Sequence, residues 1–135
     1  MATTYNLTPH DIVYYAPNGT ARNIPPSGHV ARLAVSSEPA GEHSTLRLPC
    51  VYSVYGALSG APADLDYLDA VIVSSLVADE FARLYPGVTV LVPDTGPTAM
   101  RNEAGQIVGV TQFRLVQDAL APDRIEDAER KWNLV

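Results

Sequence analysis

The chain has a single cysteine, Cys50, so no disulfide can form within it and no CxxC pair can hold a metal. Basic residues are also scarce: nine Lys and Arg stand against fifteen Asp and Glu, a net charge of −6. Recognition of a phosphate backbone needs a basic face, so nucleic acid is not an expected partner. Apolar runs fall well short of the roughly 20 residues that cross a bilayer. The opening, MATTYNLTPHD, has neither the basic nor the apolar region of a signal peptide. A soluble, cytoplasmic protein without a membrane partner is expected. Phosphate-cradling loops of the GxGxxG or GxxxxGK[ST] type do not occur, and VSSLV lacks the flanking glycines of a nucleophile elbow.

What is plentiful is punctuation. Eleven prolines and nine glycines favour short strands and turns over long helices. Hydrophobic residues make up 47 % of the chain, enough for one continuous core in a domain of this length. The expected fold class is α+β, mainly β: a small mixed sheet or partly closed barrel with one packed helix and a C-terminal helical tail. Residues 1–116 are expected as a single globular domain and 117–135 as a charged, helical tail.

NLTPH is chemically suited to launching a first strand, DIVYY, because Asn6 and Thr8 can hydrogen-bond nearby backbone. Asn18-Gly19 then predicts a hairpin, since both residues tolerate positive φ. HVARLAV reads as the next strand, SSEPAGEHS as a loop, and TLRLPCVYSVYGALSG as further strand, with Cys50 a small buried residue. AVIVSS has too few polar residues to be half exposed and predicts a buried central strand. Ser74 or Ser75 caps a following helix, in which Leu76, Val77, Phe81 and Leu84 form the apolar face. Asp79 and Glu80 suit the positive end of its dipole, and Gly87 suits a C-terminal cap. VTVLV is a second buried-type strand, which makes a parallel strand–helix–strand crossover the expected unit. IVGVTQFRLV predicts a last strand, and residues 122–132 predict a helix in the tail.

A parallel crossover brings the carboxyl ends of AVIVSS and VTVLVPD to one sheet edge, where α/β folds place ligands. Ser74, Ser75, Asp94, Thr95 and Gly96 then converge with the backbone N–H groups of the helix start, a pocket for a small anionic or hydroxyl-rich ligand. The competing reading makes the serine a helix cap and PDTGP a rigid turn. His10 is the one residue of NLTPH that turn-making does not demand; a role at this edge requires it to reach Ser27, Asp94 or Thr95. No catalytic residue, metal site or cofactor is assigned, because His10, His29 and His43 are scattered without a framing carboxylate pattern.

NLTPH, IPPSGHVAR, YG followed by GAP, VIVSSLVA, VPDTGP and RNEAGQIVGV occur here in an order that resembles a family of small proteins from bacteriophages and bacteria, including actinobacteria. The resemblance spans Asn6 to about Val116. The chain departs from the family's pattern in SSEPAGEHSTLRLPC and after Val116. The family has no established activity, so no catalytic residue carries over. The resemblance implies a phage-associated or accessory role, with the virion as a second location. Two functions are expected. One is a non-enzymatic binding or interaction protein that self-associates or meets a protein partner, a virion component being one variant. The alternative is a small enzyme or ligand-sequestering protein that uses the strand-end pocket.

Overall fold

The structure, a computed structural model, describes residues 3–120. Along these residues run β1 (Thr4–Asn6), β2 (Ile12–Tyr15), β3 (Ala21–Ile24), β4 (Arg32–Glu42), β5 (Pro49–Ser59) and β6 (Ala70–Ile72). They are followed by α1 (Ser75–Leu84), β7 (Thr89–Pro93), β8 (Met100–Arg101), β9 (Ile107–Gly109) and β10 (Phe113–Gln117). The fold is mainly β with one short helix, and its sheets are small and open, so the barrel alternative is set aside. The helix expected over 122–132 lies outside the described residues.

The central sheet has the order β1-β6-β7-β10. β1, β6 and β7 are parallel, and β10 closes the sheet antiparallel. The expected parallel crossover is therefore present. Alternation along these strands sorts their apolar residues onto two faces. Val71, Val73, Val90 and Val92 pack with Val77, Ala78 and Phe81 of α1, while Ile72 joins Ile12 and Val110 in a smaller cluster. The helix covers one face and the β2–β3 hairpin covers the other, so both faces of the sheet are buried. Leu76 and Leu84, expected on the packed face of α1, are exposed, and Ala78 takes the inward position. At 100° per residue, residues 77, 78 and 81 centre the buried stripe and leave 76 and 84 beyond its edges. Asp79 and Glu80 fall in the second turn, where the dipole has little hold on them. Tyr85 is the C-cap, and Gly87 instead makes room for Tyr67, whose ring would lie 2.6 Å from a Cβ there.

NLTPH does something other than launch a first strand. It ends β1, a strand that the sequence patterning did not reveal. Asn6 is 1 % exposed, and each of its hydrogen-bonding positions is filled. Its amide nitrogen donates to the carbonyls of His10 (2.9 Å) and Ile24 (3.0 Å), and its Oδ1 accepts from Thr8 N–H (3.0 Å) and Thr8 Oγ1 (2.7 Å). Its backbone carbonyl accepts from Ser27 N–H at 2.9 Å, and Leu7 N–H donates to the Ile72 carbonyl at 2.8 Å. One side chain thus joins the central sheet to the hairpin above it.

Three further expectations are corrected. SSEPAGEHS is mostly strand: β4 runs to Glu42 and pairs with β5 down to Pro49, with the reversal at residues 43–48. Nearly all of this ribbon is exposed, Cys50 included, which overturns the reading of Cys50 as a buried residue. Because the ribbon packs, among the described residues, against nothing beyond its base, the SSEPAGE run carries no burial pattern to reveal it as strand. IVGVTQFRLV is split at residues 110–112 into β9 and β10, which belong to different sheets. β10 runs through Gln117, whose side chain donates to the carbonyls of Tyr85 (2.8 Å) and Val88 (2.7 Å).

Replacing Asn6 by alanine leaves the Ile24 carbonyl and the Thr8 N–H without their partner and removes one of the two donors to the His10 carbonyl, at about 1–3 kcal/mol for each unsatisfied group. Asn6→Ala should lower the unfolding free energy by about 3 kcal/mol or more in urea titration. Thr8→Val, which keeps the asparagine, should cost about 1 kcal/mol. Equal losses for the two variants would contradict the central place given to Asn6.

Candidate functional site

Three parallel strands end at the same edge of the sheet, and each is followed by a polar turn. β1 leads into Thr8-Pro9-His10-Asp11, β6 into Ser74-Ser75, and β7 into Asp94-Thr95-Gly96. Together with Ile107–Gly109 and Arg114, these segments line a cleft of about 860 Å³. Its position agrees with the general rule that ligands of open α/β sheets lie outside the carboxyl ends of the strands. The volume is within the usual range for a small-molecule site.

Six of the seven candidate residues meet here: His10, Ser74, Ser75, Asp94, Thr95 and Gly96. Ser27 does not. It sits beyond β3, where its Oγ lies 3.3 Å from His29 N and 3.4 Å from the His29 carbonyl. The imidazole of His10 lines the cleft, yet it makes no hydrogen bond to Ser27, Asp94 or Thr95.

Ser74 occupies the N-cap position of α1 with extended backbone, φ −70° and ψ 156°, but its hydroxyl makes no capping hydrogen bond. The hydroxyls of Ser74 and Ser75 are exposed and have no partner among the described residues. The cap reading therefore holds for the backbone of Ser74, whose carbonyl accepts from Val77 N–H at 3.1 Å, and not for its side chain.

Asp94 is the most constrained polar group in the cleft. Its Oδ1 accepts from Gly96 N–H at 3.0 Å and its Oδ2 from the Gln112 side-chain amide at 2.6 Å, while its own N–H donates to the Gln112 carbonyl at 3.1 Å. The Gln112 amide above all, then the Gly96 N–H and the nearby Arg114 charge, hold its carboxyl below the ordinary aspartate value. Arg114 stands on β10 opposite Val92 of β7, and its guanidinium is in no ion pair among the described residues. Gln112 and Arg114 escape sequence reading because the β7–β10 pairing that brings them here is not local.

Among the described residues the cleft thus presents a cation in no ion pair, the free hydroxyls of Ser74, Ser75 and Thr95, and the positive end of a helix, against apolar walls from Val92, Ile107 and Val108. Its carboxylates are Asp94, engaged on both oxygens, and Asp11, which accepts from Asn23 at 3.3 Å. Among the described residues no serine hydroxyl is hydrogen-bonded to a histidine imidazole, and no three His, Cys, Asp or Glu side chains gather to hold a metal. The arrangement can bind and orient; it has no assembled nucleophile and base.

Because the Asp94 pKa is lowered on folding, its hydrogen bonds contribute stability fully above the ordinary aspartate value. That contribution is lost as pH falls through the folded value. In a carbon-13 titration, the Asp94 carboxyl should have its midpoint below that of a free aspartate, and Gln112→Ala should move it upward. A midpoint indifferent to Gln112 would remove the assigned cause.

The chain matches no protein-family model, no curated protein and no solved structure, and the site therefore rests on its geometry alone.

Proposed function

We propose that this chain is a non-enzymatic binding protein that holds a small anionic, hydroxyl-bearing ligand in the cleft at the strand ends. One observation carries the reading: two segments far apart in sequence bring an arginine that is in no ion pair among the described residues, and serine hydroxyls at a helix N-terminus, to one cleft of about 860 Å³. The charged end of the ligand lies between Arg114 and the start of α1, with Ser74 and Ser75 hydrogen-bonded to it. The ligand's body lies against Ile107 and Val108. Asp94 acts as a strut: its two oxygens hold the turn at Thr95-Gly96 and the chain at Gln112, which fixes the rim. A phage-derived or accessory role is a further part of the proposal, supported by the motif resemblance alone.

Thermal unfolding with inorganic phosphate and with ribose 5-phosphate tests it. A ligand that binds only the folded chain stabilises it by about 2.7 kcal/mol at a hundredfold excess over Kd. Ribose 5-phosphate should raise Tm by several degrees and more than phosphate does. Arg114→Ala should weaken binding at least tenfold, since a charge-assisted hydrogen bond is worth about 1.5–3 kcal/mol. A Tm unmoved by both probes, or a shift that survives Arg114→Ala, would count against the reading.

A further inference from the structure

The β4–β5 ribbon reaches out of the body on 11 residues per strand, and a lone two-stranded hairpin is only marginally stable in water. Its two faces differ. Residues paired across the ladder share a face. One face begins at Leu33 and Leu58, which pack on the core, and continues as Val35 opposite Tyr55, Ser37 opposite Ser53, and Pro39 opposite Val51. The other face carries Ser36 opposite Val54 and Glu38 opposite Tyr52. The first face extends the hydrophobic core into solvent and bears no charge.

We propose that this face is covered by the same face of a second copy of the chain, making a two-fold dimer through the arms. Three observations point to a copy rather than to an unlike partner. The first is area. On this face Val35, Val51 and Tyr55 are between 51 % and 62 % exposed, and Leu46 and Leu48 are exposed in the reversal at the tip of the arm. A two-fold contact buries each of the face's side chains twice, in an interface of on the order of 1,000 Å² in total, the lower bound for a specific contact.

The second is pattern. An apolar pair, a small pair and an apolar pair follow in order, with the outer pairs about 13 Å apart. That order reads the same in both directions about Ser37 and Ser53. A two-fold axis through the serines sets Val35 and Tyr55 of one arm against Pro39 and Val51 of the other, as an isologous interface requires. The third is charge. The chain carries −6, so copies repel in general, but on the arm Glu42 is paired with Arg47 at 3.0 Å and Glu38 lies on the opposite face. Contact is thus confined to the one place where repulsion is smallest. The dimer is independent of the cleft and of what it binds.

Sedimentation equilibrium of the full chain at tens of micromolar should give twice the 14.5 kDa chain mass. Val51→Asp and Tyr55→Asp each bury an unpaired carboxylate against the apolar side chains of the other arm and should raise the dimer dissociation constant at least a hundredfold, with far-UV circular dichroism unchanged. Val35→Thr, isosteric and β-branched, threatens the strand least and should weaken the dimer by a smaller factor. Tyr52→Ser, on the opposite face, should leave it intact. A monomeric wild-type chain overturns the proposal, whatever then covers the arm. A dimer that survives both aspartates, or one that Tyr52→Ser dissociates equally, overturns it as well.

Discussion

A strand of three residues, β1, cannot hold its place by ladder hydrogen bonds alone, and two buried side chains hold it from either end. At its start, Asp69 accepts from Thr3 N–H at 2.8 Å and from Asp66 N–H at 2.8 Å; chiefly the Thr3 bond keeps that carboxyl ionised below the ordinary aspartate value. At its end, Asn6 satisfies its own turn and also reaches Ile24 of the hairpin. That reach holds the end of β3 and the turn at His10 to the sheet, beside the backbone bonds of Ser27 to Asn6 and of Val13 and Tyr15 to Val110. An aliphatic residue at position 6 would bury well but lose the side-chain tether, since an apolar contact has no direction and a filled amide does.

The elements legible in the sequence are those whose signal is local. AVIVSS, the helix and VTVLV stand out because burial on both faces demands continuous β-branched runs and a 3.6-residue stripe between them. The hairpin at Asn18-Gly19 is legible because its turn demands positive φ, found at Gly19 (φ 88°). β1 is hidden by its shortness. Of the arm, β5 and the start of β4 are legible, and β4 beyond Val35 is hidden because an exposed ribbon imposes no alternation there, so a polar run reads as loop. Within the stretch expected as loop, Gly41 is a left-handed glycine (φ 80°) at an irregular point within the strand pair.

The candidate site follows the same division. Six candidates share the cleft because all of them follow carboxyl ends of parallel strands, and that follows from one topological inference. Ser27 follows β3, an antiparallel strand outside the central sheet, so the inference does not extend to it. Arg114 and Gln112 come from the antiparallel edge strand, whose position depends on a pairing with no sequence marker. The groups that most shape the charge of the cleft are therefore the ones least visible beforehand.

The topology also imposes an order of assembly. The bond from Thr3 to Asp69 spans 66 residues, so β1 stays unpartnered on a growing chain until β6 has been made. β10 comes later still, and with it Arg114 and Gln112. Pairings so distant in sequence are slow to find. Hairpins β2–β3 and β4–β5 are the structures able to form early, and the second exposes its apolar face from the moment it closes. Among the described residues the charged end of the cleft is the last part to be completed, so a ligand held there meets only chains whose central sheet is closed.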